Sequence, residues 1–192
     1  MTLPNKITIA RICLIPVFAL TAWAYGASIG IGRPDERLRV AATGIFILAA
    51  ATDGLDGFIA RRFNQATRLG SILDPIADKC LVATAILAIA LGQWPDAFPV
   101  WFAVAVLGRD SLLALGFFML PSSTRILKVH PSLLGKIATA LQLTAILWVL
   151  LGIRSIAAIY PASLAVLFTL VSGVGYLLDA LRQVQSAGRR RL

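Results

Sequence analysis

Apolar runs close to the length of a bilayer's hydrocarbon core recur from one end of the chain to the other. A helix needs about 20 such residues to cross that core. The runs fall at approximately 6–26, 38–62, 69–92, 98–120, 133–153 and 157–181. Turn-forming residues punctuate them: Gly30, Gly32 and Pro34, then Asn64, Gln65 and Thr67, then Gly92, Pro95 and Pro99, then Pro121 and Pro131, then Gly152 and Pro161. The pattern predicts an all-α polytopic membrane protein with six transmembrane helices, forming a single integral-membrane domain over residues 1–192. The first run follows Lys6 and Arg11 and is followed by small residues, as in a signal peptide. Arg11 comes late for that reading, so the run is taken as a retained span.

Composition agrees with the pattern. Of 192 residues, 58% are hydrophobic and 14% charged, and the mean hydropathy is +0.83, which excludes an ordinary soluble domain. The net charge of +9 would suggest nucleic-acid binding in a soluble chain. Here its distribution assigns it to the membrane. Lys6 and Arg11, Arg61, Arg62 and Arg68, Arg125, Lys128 and Lys136, and Arg182 with Arg189 to Arg191 all fall on one side of a six-span arrangement. The positive-inside rule then places both termini in the cytoplasm, in a cell (inner) membrane, and no nucleic-acid partner is expected. Arg33, Arg37 and Arg39 make the first outer loop basic as well. Cys13 and Cys80 are expected as small packing residues rather than a disulfide, and Trp23, Trp94, Trp101 and Trp148 as interface or lipid-facing residues. Asn5, Thr8 and Arg11 are expected as interface and capping residues.

One stretch breaks the apolar pattern: DGLDGFIARRFNQATRLGSILDPIAD, Asp53 to Asp78. Ionisable groups within membrane helices are costly and mark functional sites. Asp53 and Asp56 are three residues apart, and Asp74 and Asp78 are four apart. Each spacing puts its pair on one helix face. The first pair ends the second span and the second pair begins the third, so they face each other near the cytoplasmic interface. Four acids so placed repel one another unless cations lie among them, and two divalent cations, Mg²⁺ or Mn²⁺, suit an all-oxygen donor set. Gly57 opens room for a ligand, Gly70 does so or ends the loop, and the Arg61 fork suits a diphosphate. This predicts displacement at phosphorus on a phosphate-rich headgroup, with Asp78, deepest in its span, as the base. Arg109 and Lys136 each lie within an apolar run at the same depth; Arg109 could instead neutralise Asp110. A prenyltransferase would share the metals and acids, but not this glycine spacing. A cation transporter would need polar groups through the full membrane depth, and the outer halves are apolar.

The stretch resembles the signature of the CDP-alcohol phosphatidyltransferases, D-x2-D-G-x2-A-R-x8-G-x3-D-x3-D. It is met here by Asp53, Asp56, Gly57, Ala60, Arg61, Gly70, Asp74 and Asp78 without departure. The resemblance extends to the six-span layout and to the N-terminal LPNKITIARICLIP. It implies a six-helix fold, a homodimer, a site open to the cytoplasm, and transfer of a phosphatidyl group from CDP-diacylglycerol to an alcohol with release of CMP. It also implies that Asp53, Asp56 and Asp74 are metal ligands, that Asp78 is ligand and base, and that Gly57, Ala60 and Arg61 line the nucleotide and diphosphate site. NKITIARICLIPVF and the acid stretch are similar to the branch that uses glycerol 3-phosphate, in which Arg109 and Lys136 would bind the acceptor's phosphate. GRDSLL and HPSLLGKIATALQL are similar to cardiolipin synthases, whose acceptor is phosphatidylglycerol. Arg109-Asp110, where the first branch often has Arg-Glu, and the absence of a basic residue from Gly116 to Leu120 depart from the glycerol 3-phosphate pattern.

Overall fold

A computed structural model describes the backbone of residues 3–63, 68–119 and 133–189, and the side chains of residues 8–52, 76–114 and 133–176. Six α-helices make up the described secondary structure: α1 (Leu3–Gly30), α2 (Glu36–Phe63), α3 (Arg68–Leu91), α4 (Val100–Met119), α5 (Leu133–Leu150) and α6 (Ile159–Arg189). They fall where the apolar runs predict them. The largest difference is at the C-terminal end of α6, which runs to Arg189 past the limit of its apolar run at 181; α1 also extends beyond its run at both ends, from Leu3 to Gly30. Pro16 lies inside α1; it removes one helical hydrogen bond, a loss membrane helices tolerate.

The helix ends follow from local chemistry. Gly32 and Gly152 have φ of 72° and 67°, the left-handed region glycine enters without a Cβ penalty. At each, paired hydrogen bonds close the preceding helix: Gly32 N to Ile29 O (2.9 Å) with Arg33 N to Ser28 O (3.0 Å), and Gly152 N to Val149 O (2.9 Å) with Ile153 N to Trp148 O (3.2 Å). These are Schellman caps. The start of α2 is capped by Asp35, whose Oδ1 accepts from Arg37 N at 3.0 Å.

The chain forms two compact units, residues 1–98 with 146–158, and residues 99–145 with 159–192. In the first, α1 packs on α2 and α3. Fully buried Ala22, Ala42, Ala49 and Ala85 let helix backbones approach closely, as small residues do in membrane bundles. Phe18 of α1 meets Phe46 of α2 with ring centroids 5.5 Å apart. The end of α5 joins this unit: its terminal carbonyl, Leu150 O, accepts from Thr43 Oγ1 (3.0 Å) and Arg39 Nη1 (3.3 Å) of α2. In the second unit α4 packs on α6. There Gln142 of α5 donates through Nε2 to Thr169 Oγ1 of α6 at 2.8 Å, both residues fully buried.

Large apolar side chains also cover the outside. Leu20, Val40, Val104, Leu112 and Leu167 are among many that are more than half exposed. Three helical stretches, Thr8–Gly30, Leu133–Leu150 and Ile159–Tyr176, are long and apolar enough to cross a membrane among the described residues. An apolar exterior on helices of this length suits lipid rather than water.

Candidate functional site

The acid stretch lies on the α2–α3 pair, two helices that pack in one unit and are joined through residues 64–67. Along α2, Asp56 is about 10 Å and Asp53 about 15 Å from the helix end at Phe63, at 1.5 Å per residue. Along α3, Asp74 is about 10 Å and Asp78 about 15 Å from the helix start at Arg68. The two pairs therefore share one end of the unit, Asp56 level with Asp74 and Asp53 level with Asp78. Gly57, Ala60 and Arg61 continue α2 towards the same end, and Gly70 lies in the first turn of α3.

Of these residues only Asp78 falls among the described side chains; those of Asp53, Asp56, Gly57, Ala60, Arg61, Gly70 and Asp74 lie outside them. Asp78 is half-buried, beside the buried Ala77, Leu81 and Val82. A carboxylate so placed is partly shielded from water while still reachable.

Arg11 is more deeply buried than its place near a helix end suggests. It was expected as an interface residue, yet its side chain is fully buried, with Thr8 only 1% exposed beside it. The antiparallel packing of α1 and α2 explains why. Phe18 faces Phe46, and Tyr25 OH lies 3.5 Å from Glu36, so Arg11 falls level with the Asp53 turn. A buried arginine belongs with carboxylates. Its position within an apolar run near the acid depth was the available signal.

A second polar group lies in the other unit. Arg109 of α4 donates through Nη1 to Asp110 Oδ1 (2.7 Å) and through Nη2 to Ser172 Oγ of α6 (3.1 Å). Its guanidinium lies 5.5 Å from the Tyr176 ring centroid, within cation–π range. Arg109 and Asp110 are 11% and 13% exposed, so Arg109 does neutralise Asp110. Its Nε is buried with no hydrogen-bond partner. Arg109 lines a cavity of about 470 Å³ with Gly135, Lys136, Thr139 and Tyr176. Lys136 is exposed and carries no hydrogen bond or ion pair to a described residue.

Two lesser expectations resolve differently. Trp23 and Trp101 are exposed as expected, at 61% and 45%, whereas Trp94 is 5% exposed, packed edge-on against Tyr25 at 4.6 Å. Cys13 and Cys80 are free thiols but exposed rather than packed.

The α2–α3 pair thus carries all eight signature positions, four of them acids at matched depth along the two helices. In agreement with it, the CDP-alcohol phosphatidyltransferase family model matches residues 1–175. The chain belongs to that family, and is an integral membrane enzyme of the transferase class. It is 36% identical over 183 residues to the CDP-diacylglycerol–glycerol-3-phosphate 3-phosphatidyltransferase of Bacillus subtilis (strain 168), covering 91% of this chain and 92% of that protein. It is 36% identical to a probable phosphatidylglycerophosphate synthase of Mycobacterium tuberculosis (strain ATCC 25618 / H37Rv), over 95% of this chain and 83% of that one. The Escherichia coli (strain K12) CDP-diacylglycerol–glycerol-3-phosphate 3-phosphatidyltransferase is 36% identical over 77% of this chain and 76% of its own.

Proposed function

We propose that the protein transfers the phosphatidyl group of CDP-diacylglycerol to the hydroxyl of glycerol 3-phosphate, giving phosphatidylglycerophosphate and CMP in phospholipid biosynthesis. The observation that carries this reading is the complete eight-residue signature on the α2–α3 pair, supported by relatives of that name over most of the chain. Cardiolipin synthesis from phosphatidylglycerol is not favoured by those relatives.

The donor set fits divalent cations: four carboxylates, at matched depth on two packed helices, supply only hard oxygen ligands. Asp53, Asp56, Asp74 and Asp78 would hold two Mg²⁺ or Mn²⁺ ions. When bound, these neutralise the diphosphate and stabilise the departing CMP. The rest is the work of this chain's side chains. Gly57 and Ala60 leave room for the nucleotide, and Arg61 grips the diphosphate through its fork. Asp78 takes the proton of the acceptor hydroxyl as its oxygen bonds to the phosphatidyl phosphorus and the bond to CMP breaks. Arg109, already oriented by Asp110 and Ser172, and Lys136 hold the acceptor's phosphate. The six helices form one membrane domain of six spans, with both termini and the acid end cytoplasmic, and the protein works as a homodimer.

The test is CMP release by purified protein with CDP-diacylglycerol and Mg²⁺. Glycerol 3-phosphate should support it, and phosphatidylglycerol should not; the reverse preference refutes the assignment. Asp78→Asn should lower the rate by about 10²-fold or more, the usual worth of a general base. Full activity in that variant refutes the role given to Asp78.

A further inference from the structure

The first unit holds a second polar cavity, of about 230 Å³, at its other end. It is lined by Tyr25 at the close of α1, Glu36 and Arg39 at the start of α2, Trp94 and Asp96 from the α3–α4 connection, and Arg154 beyond α5. Glu36 precedes Asp53 on the same helix by about 25 Å at 1.5 Å per residue. The cavity is therefore separate from the acid stretch. We propose that it binds the headgroup of a zwitterionic phospholipid, a phosphate bearing a primary ammonium, as in phosphatidylethanolamine.

Three groups of the lining offer hydrogen-bond donors to a partner. Trp94 is 5% exposed, and its Nε1 is buried with no hydrogen-bond partner. An indole nitrogen can only donate, and a buried donor left unpaired is costly. A Cβ on Gly92 would stand 3.2 Å from that Nε1, so glycine keeps its flank open. Arg39 is fixed, giving Nε to Glu36 Oε2 at 2.6 Å and Nη1 to Leu150 O at 3.3 Å. Its Nη2 has no partner among the described residues. Arg154 is exposed and makes no hydrogen bond or ion pair to a described residue. An indole N–H and two guanidinium groups suit phosphate oxygens.

Asp96 excludes a simple anion. It is half-buried and has no ion pair among the described residues, although it shares the cavity with Arg154. The lining holds two arginines against two acids, so a dianion meets two carboxylates and a bare cation meets two guanidiniums. A zwitterion satisfies both signs at once, its ammonium on Asp96. The surroundings favour a lipid over a soluble molecule: Ile31 and Leu91, at the same end of the helices, are 76% and 66% exposed, as residues at a membrane interface can be. That the headgroup comes from the non-cytoplasmic leaflet rests on the orientation proposed above; the chemistry of the cavity does not.

The test uses the full chain in detergent, with binding of dioctanoyl phosphatidylethanolamine, dioctanoyl phosphatidylglycerol and tail-free glycerophosphoethanolamine measured by native mass spectrometry. Phosphatidylethanolamine should bind about tenfold more tightly than phosphatidylglycerol, the scale of one desolvated charge-assisted contact. Arg154→Ala, at an exposed position, should weaken it about tenfold. Trp94→Phe keeps the ring against Tyr25 and removes only the N–H; it should weaken binding about fivefold. CMP release should be unchanged in both variants. Equal affinity for the two lipids, or unchanged affinity in both variants, overturns the site. Equal binding of the tail-free headgroup overturns its assignment to a lipid. A protein that shows the lipid preference but releases no CMP refutes the proposed activity and leaves this site standing.

Discussion

Arg109 and Asp110 are sequence neighbours whose side chains meet at 2.7 Å in a largely buried setting. Removing one partner of such a pair strands the other's charge. Arg109→Ala should therefore cost about 3 kcal/mol of stability, read as a drop in unfolding temperature. Lys136 presents the opposite case. It is exposed on the same cavity, so Lys136→Ala should leave stability within about 0.5 kcal/mol. If it holds the acceptor's phosphate, the same change should raise KM for glycerol 3-phosphate about tenfold, the worth of one exposed charge-assisted contact, with little change in KM for CDP-diacylglycerol. An unchanged acceptor KM would remove Lys136 from the site. At this scale the placement of the acids at matched depth on α2 and α3 was legible in the sequence, because it follows from helical spacing alone. Arg11 was not, because an arginine near a helix end reads equally as an interfacial anchor; only packing shows it fully buried.

Five of the six helices were legible to within a few residues at both ends, whereas α6 runs on to Arg189, past the limit of its apolar run at 181. Gly32 and Gly152 close α1 and α5 in the same way, but they differ in surroundings. A Cβ at Gly32 meets nothing within 4 Å, whereas one at Gly152 would stand 2.9 Å from Arg39 Cζ. Gly32→Ala should cost about 1 kcal/mol through its left-handed backbone alone. Gly152→Ala should cost more, because it also disturbs the guanidinium that donates to Leu150 O. Thermal unfolding of the two variants orders them; an equal loss would deny the contact any weight. The α1–α2 seam makes a related prediction. Ala42 is fully buried, so Ala42→Leu should destabilise by about 1–3 kcal/mol through overpacking, again read in the unfolding temperature.

For the whole molecule, the distribution of basic residues predicts that the α5–α6 connection and the C-terminal tail lie on opposite sides of the membrane. In a Cys13→Ser, Cys80→Ser background, a membrane-impermeant thiol reagent applied to intact cells should label Ser155→Cys and not Ser186→Cys. Labelling of both, or of the tail alone, would refute the orientation. The sequence by itself determined the helical class, the positions of the six helices and the set of acids on α2 and α3. All three follow from local rules: apolar length against bilayer thickness, glycine at left-handed caps, and side-chain spacing along one helix. Which side chains are buried was decided only by tertiary packing. Trp94, expected at the lipid interface, turns inward because the connection after α3 folds it onto Tyr25. Arg109 gains Ser172, 63 residues away, only where α4 meets α6. The cavity that joins Glu36, Asp96 and Arg154 likewise has no sequence signature. Its walls come from three separate connections, and their meeting depends on how the helices pack, not on the spacing within any one of them.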